Sequence, residues 1–380
     1  MLDFLENPQY PCLGPHLRLL GLTGLWHPIV NKKARCKLAM FYLTTAFFFS
    51  QYFKCIIYFN TKSLKLILQY IPFHMGIVKS CFFQRHHDRW SYLIEHTANI
   101  ERSQRGHKNI SHRVTDYIRR SRRITYFFWA LAFFSNLSIF SEPYLKNETV
   151  NGTRLYLYIF EGYTPFSRIP PGYYCSMAVQ TILGHLVSAY VVGWDTCVVS
   201  LMIFFAGQLK IFRVYTKEVI NVKSKVESHK NIIKCHNFYL KLIEYHTLFN
   251  SLISPVMFIY LIVISVNLGV CIIQIVELKD DFGALLSACL YVLACLIQLL
   301  LFYWHSNEVT VESLLVSNSS FKTNWVDVDN GLRREVVLLA ETTNRRLVFT
   351  AGPFHEMSIS TFISILRRSY SFFTLLNETA

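Results

Sequence analysis

The sequence predicts an all-α membrane protein of seven transmembrane helices, with a cytosolic N-terminus, an extracellular C-terminus and a helical cytosolic anchor layer. Three observations carry this reading. Of 380 residues, 52% are hydrophobic and only 16% charged, against about 25% charged in a typical soluble domain. The apolar residues gather into runs of roughly 20 or more, enough to cross about 30 Å of hydrocarbon at 1.5 Å per residue. Lysine and arginine collect in every second connection between those runs.

The runs follow in order. The first is Leu38–Phe59, after a polar stretch punctuated by Pro8, Pro11, Pro15 and Pro28, so an internal helix rather than a cleavable leader is expected to target the chain. The second, Leu64–Phe83, contains Pro72, which a membrane helix accommodates as a kink. Ile124–Leu145 is rich in aromatics. Tyr173–Phe205 spans 33 residues, roughly 50 Å as one helix, so it must tilt or project beyond the bilayer. The fifth covers Leu248–Val276 and the sixth Ala284–Tyr303. The last, Met357–Leu376, is the least apolar because it contains Arg367 and Arg368.

Orientation follows from the basic residues. Segments 1–37, 85–123, 208–247 and 307–354 hold 28 of the 38, the alternating connections hold six, and four lie within spans. The positive-inside rule then sets the N-terminus in the cytosol. Seven spans in this orientation exclude a G-protein-coupled receptor, whose N-terminus is outside. The net charge of +14 is accounted for by these loops, and no nucleic-acid-binding module accompanies it. Asn147 and Asn151 begin glycosylation sequons in a connection assigned to the outside.

The cytosolic segments carry helical patterns of their own. Segment 208–247 alternates Lys and Glu with apolar residues, lacks Pro and Gly, and predicts one continuous amphipathic helix leading into the fifth span. In Asn330–Thr350, Asn330-Gly331 is expected to break the chain before a second such helix. The expected organisation is therefore a cytosolic segment 1–37, a six-helix bundle with cytosolic extensions over 38–306, a cytosolic anchor segment 307–354, and a last helix with a short tail over 355–380. Asp195, about 22 residues into the fourth run, is expected near the inner interface as a solvated or paired structural residue.

No nucleotide loop, HExxH, GxSxG or pair of spaced carboxylates appears, so neither an enzyme nor a cofactor is implied. Ten cysteines include no CxxC pair and no zinc spacing; most lie in apolar runs, where Cys packs as a small hydrophobe. Lys54, His74, Lys79, His185, Arg367 and Arg368 are the scattered ionisable groups of the spans. A coupled transporter would instead show buried carboxylates or inverted repeats.

The carboxyl end, Thr361-Phe-Ile-Ser-Ile-Leu-Arg-Arg-Ser-Tyr-Ser-Phe-Phe-Thr-Leu-Leu376, resembles the last-helix signature of insect odorant receptors. Length, span count, inverted orientation and the short hairpin at 277–283 extend the resemblance to the whole chain. Gustatory receptors share this architecture but end differently after their Thr-Tyr, and the co-receptor Orco is longer, with a large insert in its second cytosolic loop.

The resemblance implies an odour-tuned subunit of a tetrameric, non-selective cation channel. Its partners would be Orco, the lipid bilayer and a small volatile odorant, in the plasma membrane of olfactory sensory neurons. Ser369, Phe373, Leu376 and Asn377 then fall at or next to the pore gate. The family's ligand pocket lies in the outer half of the bundle, which selects Gln69, Tyr70 and Phe73 in the second span. In the third it selects Phe133, Phe134, Asn136, Leu137 and Phe140, and in the fourth Tyr174, Met177, Thr181 and His185. Helix-on-helix packing is the alternative reading for each of these residues.

Overall fold

In the computed structural model the described residues are 7–27, 31–58, 61–145, 148–150, 153–160, 163–278 and 282–379. They form α1 (Gly14–Leu22), α2 (Lys32–Ile57), α3 (Thr61–Arg85), α4 (His87–Arg105), α5 (Lys108–Leu145), α6 (Gly172–Lys217), α7 (Lys225–Glu277), α8 (Phe282–Ser320), α9 (Asn330–Thr343) and α10 (Ile359–Thr379). Two small antiparallel hairpins join them, β1 (Glu148–Val150) with β2 (Thr153–Leu155) and β3 (Thr350–Ala351) with β4 (His355–Glu356). Each of the seven predicted runs falls on one helix: α2, α3, α5, α6, α7, α8 and α10. Among the described residues, α5 to α8 are apolar and long enough to cross a membrane by length and composition alone.

The core sits around α6, which packs against α8, α5, α3 and α1. Every residue from 192 to 209 is buried, as expected of a helix that is apolar on all sides. Its 46 residues extend about 69 Å, so it projects beyond a bilayer, as its length demanded. Close packing needs small residues at the crossings. A Cβ on Gly76 of α3 would collide with Val191 Cγ2 of α6.

Two expectations for the segments between the apolar runs are corrected. The continuous helix over 208–247 is interrupted, because α6 stops at Lys217 and α7 starts at Lys225. Neither Pro nor Gly causes the break. Ser224 caps α7 by accepting from Glu227 N at 3.3 Å, and Val219 turns inward to 1% exposure, a combination of cap and buried anchor that outweighs helix propensity. Likewise Asn330 and Gly331 lie inside α9, whose cap is Asp329, accepting from Gly331 N at 3.1 Å. That helix ends at Thr343, and 350–356 turns into the β3–β4 hairpin. Its turn residue, Gly352, has φ +70 and donates its N–H to Ser254 O of α7 at 3.0 Å.

At this end of the bundle the long helices are tied by charge. Glu308 of α8 accepts from Arg120 of α5 at 2.6 Å and from Lys210 of α6 at 2.8 Å, and Glu312 accepts from Arg213 at 2.7 Å. Burial alone would raise the Glu308 carboxyl, but His305, Arg120 and Lys210 outweigh it and hold the group well below the usual carboxylate range. The N-terminal segment docks through a second polar cluster. The Glu101 carboxylate of α4 accepts from Cys12 N at 3.0 Å and from Tyr117 OH at 2.9 Å. Gln104 and Gln208 exchange two amide hydrogen bonds beside it, at 2.7 and 2.9 Å.

Candidate functional site

Near the N-terminal end of α6 the bundle closes over a set of aromatic and polar side chains. The connection from β2 to α6 does not stay on the surface: Tyr158, Ile159 and Phe160 are all buried. Gln180 of α6 holds this segment in place. Its Oε1 accepts from Phe160 N and its Nε2 donates to Phe160 O, both at 3.0 Å, so one side-chain amide satisfies a backbone group pair that no sheet reaches. The Phe160 ring then meets Phe48 of α2 at 5.0 Å and Phe140 of α5 at 6.0 Å between centroids, both edge-on. Gly184 makes room for them, since a Cβ there would lie 2.7 Å from Phe140 Cζ.

His185 completes the group. Its ring lies 5.0 Å from that of Phe140, and its Nδ1 is 2.9 Å from Thr181 O. A nitrogen facing a carbonyl must carry a proton, so Nδ1 is the donor here. Thr181 donates to Met177 O at 2.9 Å, so the 3.1 Å contact with Tyr144 has the tyrosine as donor.

Deeper in the bundle a cavity of about 60 Å³ opens between α5, α6 and α8. Its walls are mostly apolar (Phe128, Ala132, Val191, Val192), with Asn136, Ser188, Tyr291 and Gln298 supplying the polar atoms. Asn136 donates to the Ser188 hydroxyl. Gln298 faces two ways, because it lines the cavity and also donates to Asp195 of α6. Asp195 is in turn paired with Lys79 of α3 at 2.6 Å, both side chains being essentially inaccessible. Asp195 is thus a paired residue, as expected, and it is buried within the bundle. The volume is that of about two water molecules; ordinary ligand pockets measure about 300–1,000 Å³.

The structure brings together only part of the predicted set. Phe140 and Met177 are buried, Thr181 and His185 half-buried beside them, and Asn136 lines the deeper cavity. Phe133, Phe134, Leu137 and Tyr174 are 50–61% exposed and lie on the outside of the bundle, where the bilayer would cover them. The side chains of Gln69, Tyr70 and Phe73 lie outside the described residues, as do those of Phe373, Leu376 and Asn377, and as do Asn147 and Asn151. Ser369 is buried, donating to Ser265 O of α7 at 3.2 Å and to Ile365 O at 3.0 Å. Sequence reasoning missed Gln180, Ser188 and Gln298. The available signal was that each is a lone polar residue within an apolar run.

The last helix is two-faced. Phe362, Ile365 and Leu366 join the core, whereas Ser360, Ser364, Arg367 and Ser371, spaced three or four residues apart, are exposed. Arg368 is exposed too, and with Ser360 and Ser364 it lines a cleft of about 220 Å³ beside Leu261 and Ser265 of α7.

Comparison with known proteins agrees with this architecture. The family model described as "7tm Odorant receptor" matches residues 63–370. Odorant receptor 10 of Aedes albopictus is 25% identical over 215 residues, 55% of this chain and 56% of that one. Odorant receptor Or2 of Anopheles gambiae is 25% identical over 146 residues, 38% of each chain. The alignments span about half the length of these curated relatives, or less. Among solved structures, the insect olfactory receptor OR5 from Machilis hrabei in complex with eugenol superposes with a TM-score of 0.79. It is 15% identical, covering 97% of this chain and 98% of that one, a likeness of fold.

Proposed function

This chain belongs to the insect 7tm odorant receptor family, and from that premise we propose that it is an odour-tuned subunit of a ligand-gated, non-selective cation channel. The observation that carries the reading is the exposed face of α10. Ser360, Ser364, Arg367 and Ser371 face outward; Ser364 and Ser371 donate to the helix's own Ser360 O and Arg367 O, but the Arg367 guanidinium cannot rest on hydrocarbon without leaving its charge unsatisfied. Water in a shared conduit, or the equivalent helix of a neighbouring subunit, satisfies it. Orco in a heterotetramer is the proposed partner, with the N-terminus cytosolic, in the plasma membrane of olfactory sensory neurons. Gate positions Phe373, Leu376 and Asn377 follow Ser371 towards the C-terminus.

The ligand is proposed to be a small volatile, as eugenol is for OR5 of Machilis hrabei. It would enter between Phe140, Met177, Thr181 and His185 and the deeper cavity at Asn136. A cavity of about 60 Å³ is too small for about ten heavy atoms, so binding must displace side chains. A ligand of that size supplies several kcal/mol at most, and a swing from about 1:99 to 99:1 needs roughly 5.5 kcal/mol of differential binding. Partial opening by one ligand is the expected response. Co-expression with Orco in oocytes under voltage clamp, across a volatile panel, tests the proposal. Odour-evoked current is expected, and its absence despite surface delivery would overturn it.

A further inference from the structure

A second and larger cavity, about 700 Å³, lies where α2, α3 and α4 meet. It sits where the N-terminal part of α2 meets the end of α3 and the start of α4, away from the proposed odorant site. One wall is apolar, made by Leu38, Phe41 and Tyr42 of α2. That wall continues along the exposed side of the same helix through Leu43, Phe49 and Phe53, which are 72%, 51% and 61% exposed. The other wall carries charge of both signs: Arg85 at the end of α3, and Asp88 and Glu95 on the first turns of α4. None of these three makes an ion pair or a hydrogen bond among the described residues, although the charged residues at the α6–α8 contact are paired. The rings of His27 and His87, stacked at 4.6 Å, form the floor.

We propose that this cavity binds a zwitterionic phospholipid from the adjoining leaflet, with the phosphate at Arg85, the ammonium at Asp88 and Glu95, and an acyl chain along α2. The charge pattern selects the class. An anionic headgroup would place its net charge against two carboxylates, and a fatty acid would leave both of them unanswered. The two walls set the arrangement, since a lipid needs a polar and an apolar surface side by side at the interface, and the cavity offers both where α2 enters the membrane. The volume accommodates a phosphoethanolamine group with its glycerol.

The test is lipid retention by the purified full-length chain in detergent, read by intact-complex mass measurement and thermal midpoint. The probes are phosphatidylethanolamine, phosphatidylglycerol, and soluble glycerophosphoethanolamine. Wild type is expected to retain phosphatidylethanolamine over phosphatidylglycerol by about threefold to tenfold, the size of a partly exposed charge pair. The paired variant Asp88→Asn/Glu95→Gln should lose or reverse that preference, and Arg85→Gln should weaken both lipids. Glycerophosphoethanolamine should not stabilise the chain, because it lacks the part that lies on Leu38 and Tyr42. Equal retention of both lipids, a wild-type preference for phosphatidylglycerol, full stabilisation by the soluble headgroup, or variants indistinguishable from wild type would each overturn the assignment.

Discussion

Lys79 of α3 and Asp195 of α6 form an ion pair of 2.6 Å in the bundle interior, with both side chains buried. The ammonium also lies over aromatic rings, 4.3 Å from the centre of Tyr260 and 5.3 Å from that of Trp194, and Gln298 of α8 donates to the carboxylate from the other side. Four helices thus converge on one pair of charges, directly beneath the cavity that Gln298 lines.

Breaking that pair from one side is expected to be severe. Asp195→Asn or Lys79→Met leaves one buried charge without its partner and should cost about 3–5 kcal/mol. Replacing both, as Lys79→Met with Asp195→Leu, should recover much of the loss. Surface delivery and thermal midpoint in detergent measure it; a double variant worse than both single ones would refute the account.

The Phe160 segment should open when its clamp is removed. Gln180→Leu strands the N–H and C=O of Phe160, each about 1–3 kcal/mol if left unpaired, so residues 156–160 are expected to leave the bundle. Hydrogen exchange should rise in that segment by at least tenfold while α8 stays protected. Unchanged exchange would show that the aromatic contacts suffice.

Two-facedness of α10 makes a prediction by position. Cysteines at Ser364 and Ser371 should react with a charged thiol reagent about tenfold or more faster than a cysteine at Ser369, since reactivity follows exposure. Modification of the first two should reduce evoked current. The wild-type chain, whose Cys36, Cys175 and Cys289 are exposed, is the control. Faster reaction at Ser369 would invert the assignment of faces.

Docking of the N-terminal segment should depend on pH. Burial pushes the Glu101 carboxyl up to about 7, against the opposing pull of Cys12 N, Tyr117 and the nearby arginines. A carboxyl whose folded value exceeds its ordinary 4.5 stabilises the fold fully below that value, and the contribution is lost as pH rises through 7. The thermal midpoint is therefore expected to fall between pH 6 and 8, and Glu101→Gln should flatten that slope. A midpoint that rises over the same window would be the wrong sign.

Apolar run length and basic-residue sorting made the helices legible because the bilayer imposes both directly. The breaks were less so. Segment 208–247 offers no Pro or Gly, yet Ser224 and Glu227 spell a capping signature that is readable once the charge alternation is discounted. The site was only partly legible. Apolar residues such as Phe133 and Phe140 look alike in a span, and nothing local tells the one that faces lipid from the one that meets Phe160. Gln180 acts across a loop and Asp195 across 116 residues, separations at which periodicity carries no information.

The continuous burial of α6 from 192 to 209 has a mechanical meaning. One end of this rod carries Met177 and Gln180; the other carries Lys210 and Arg213, clasped to α8. A rod gripped on every side over five turns has no slack in which to flex, so it tilts or slides as a unit. The two ends, at Met177 and at Lys210, lie about 50 Å apart on one unbroken helix.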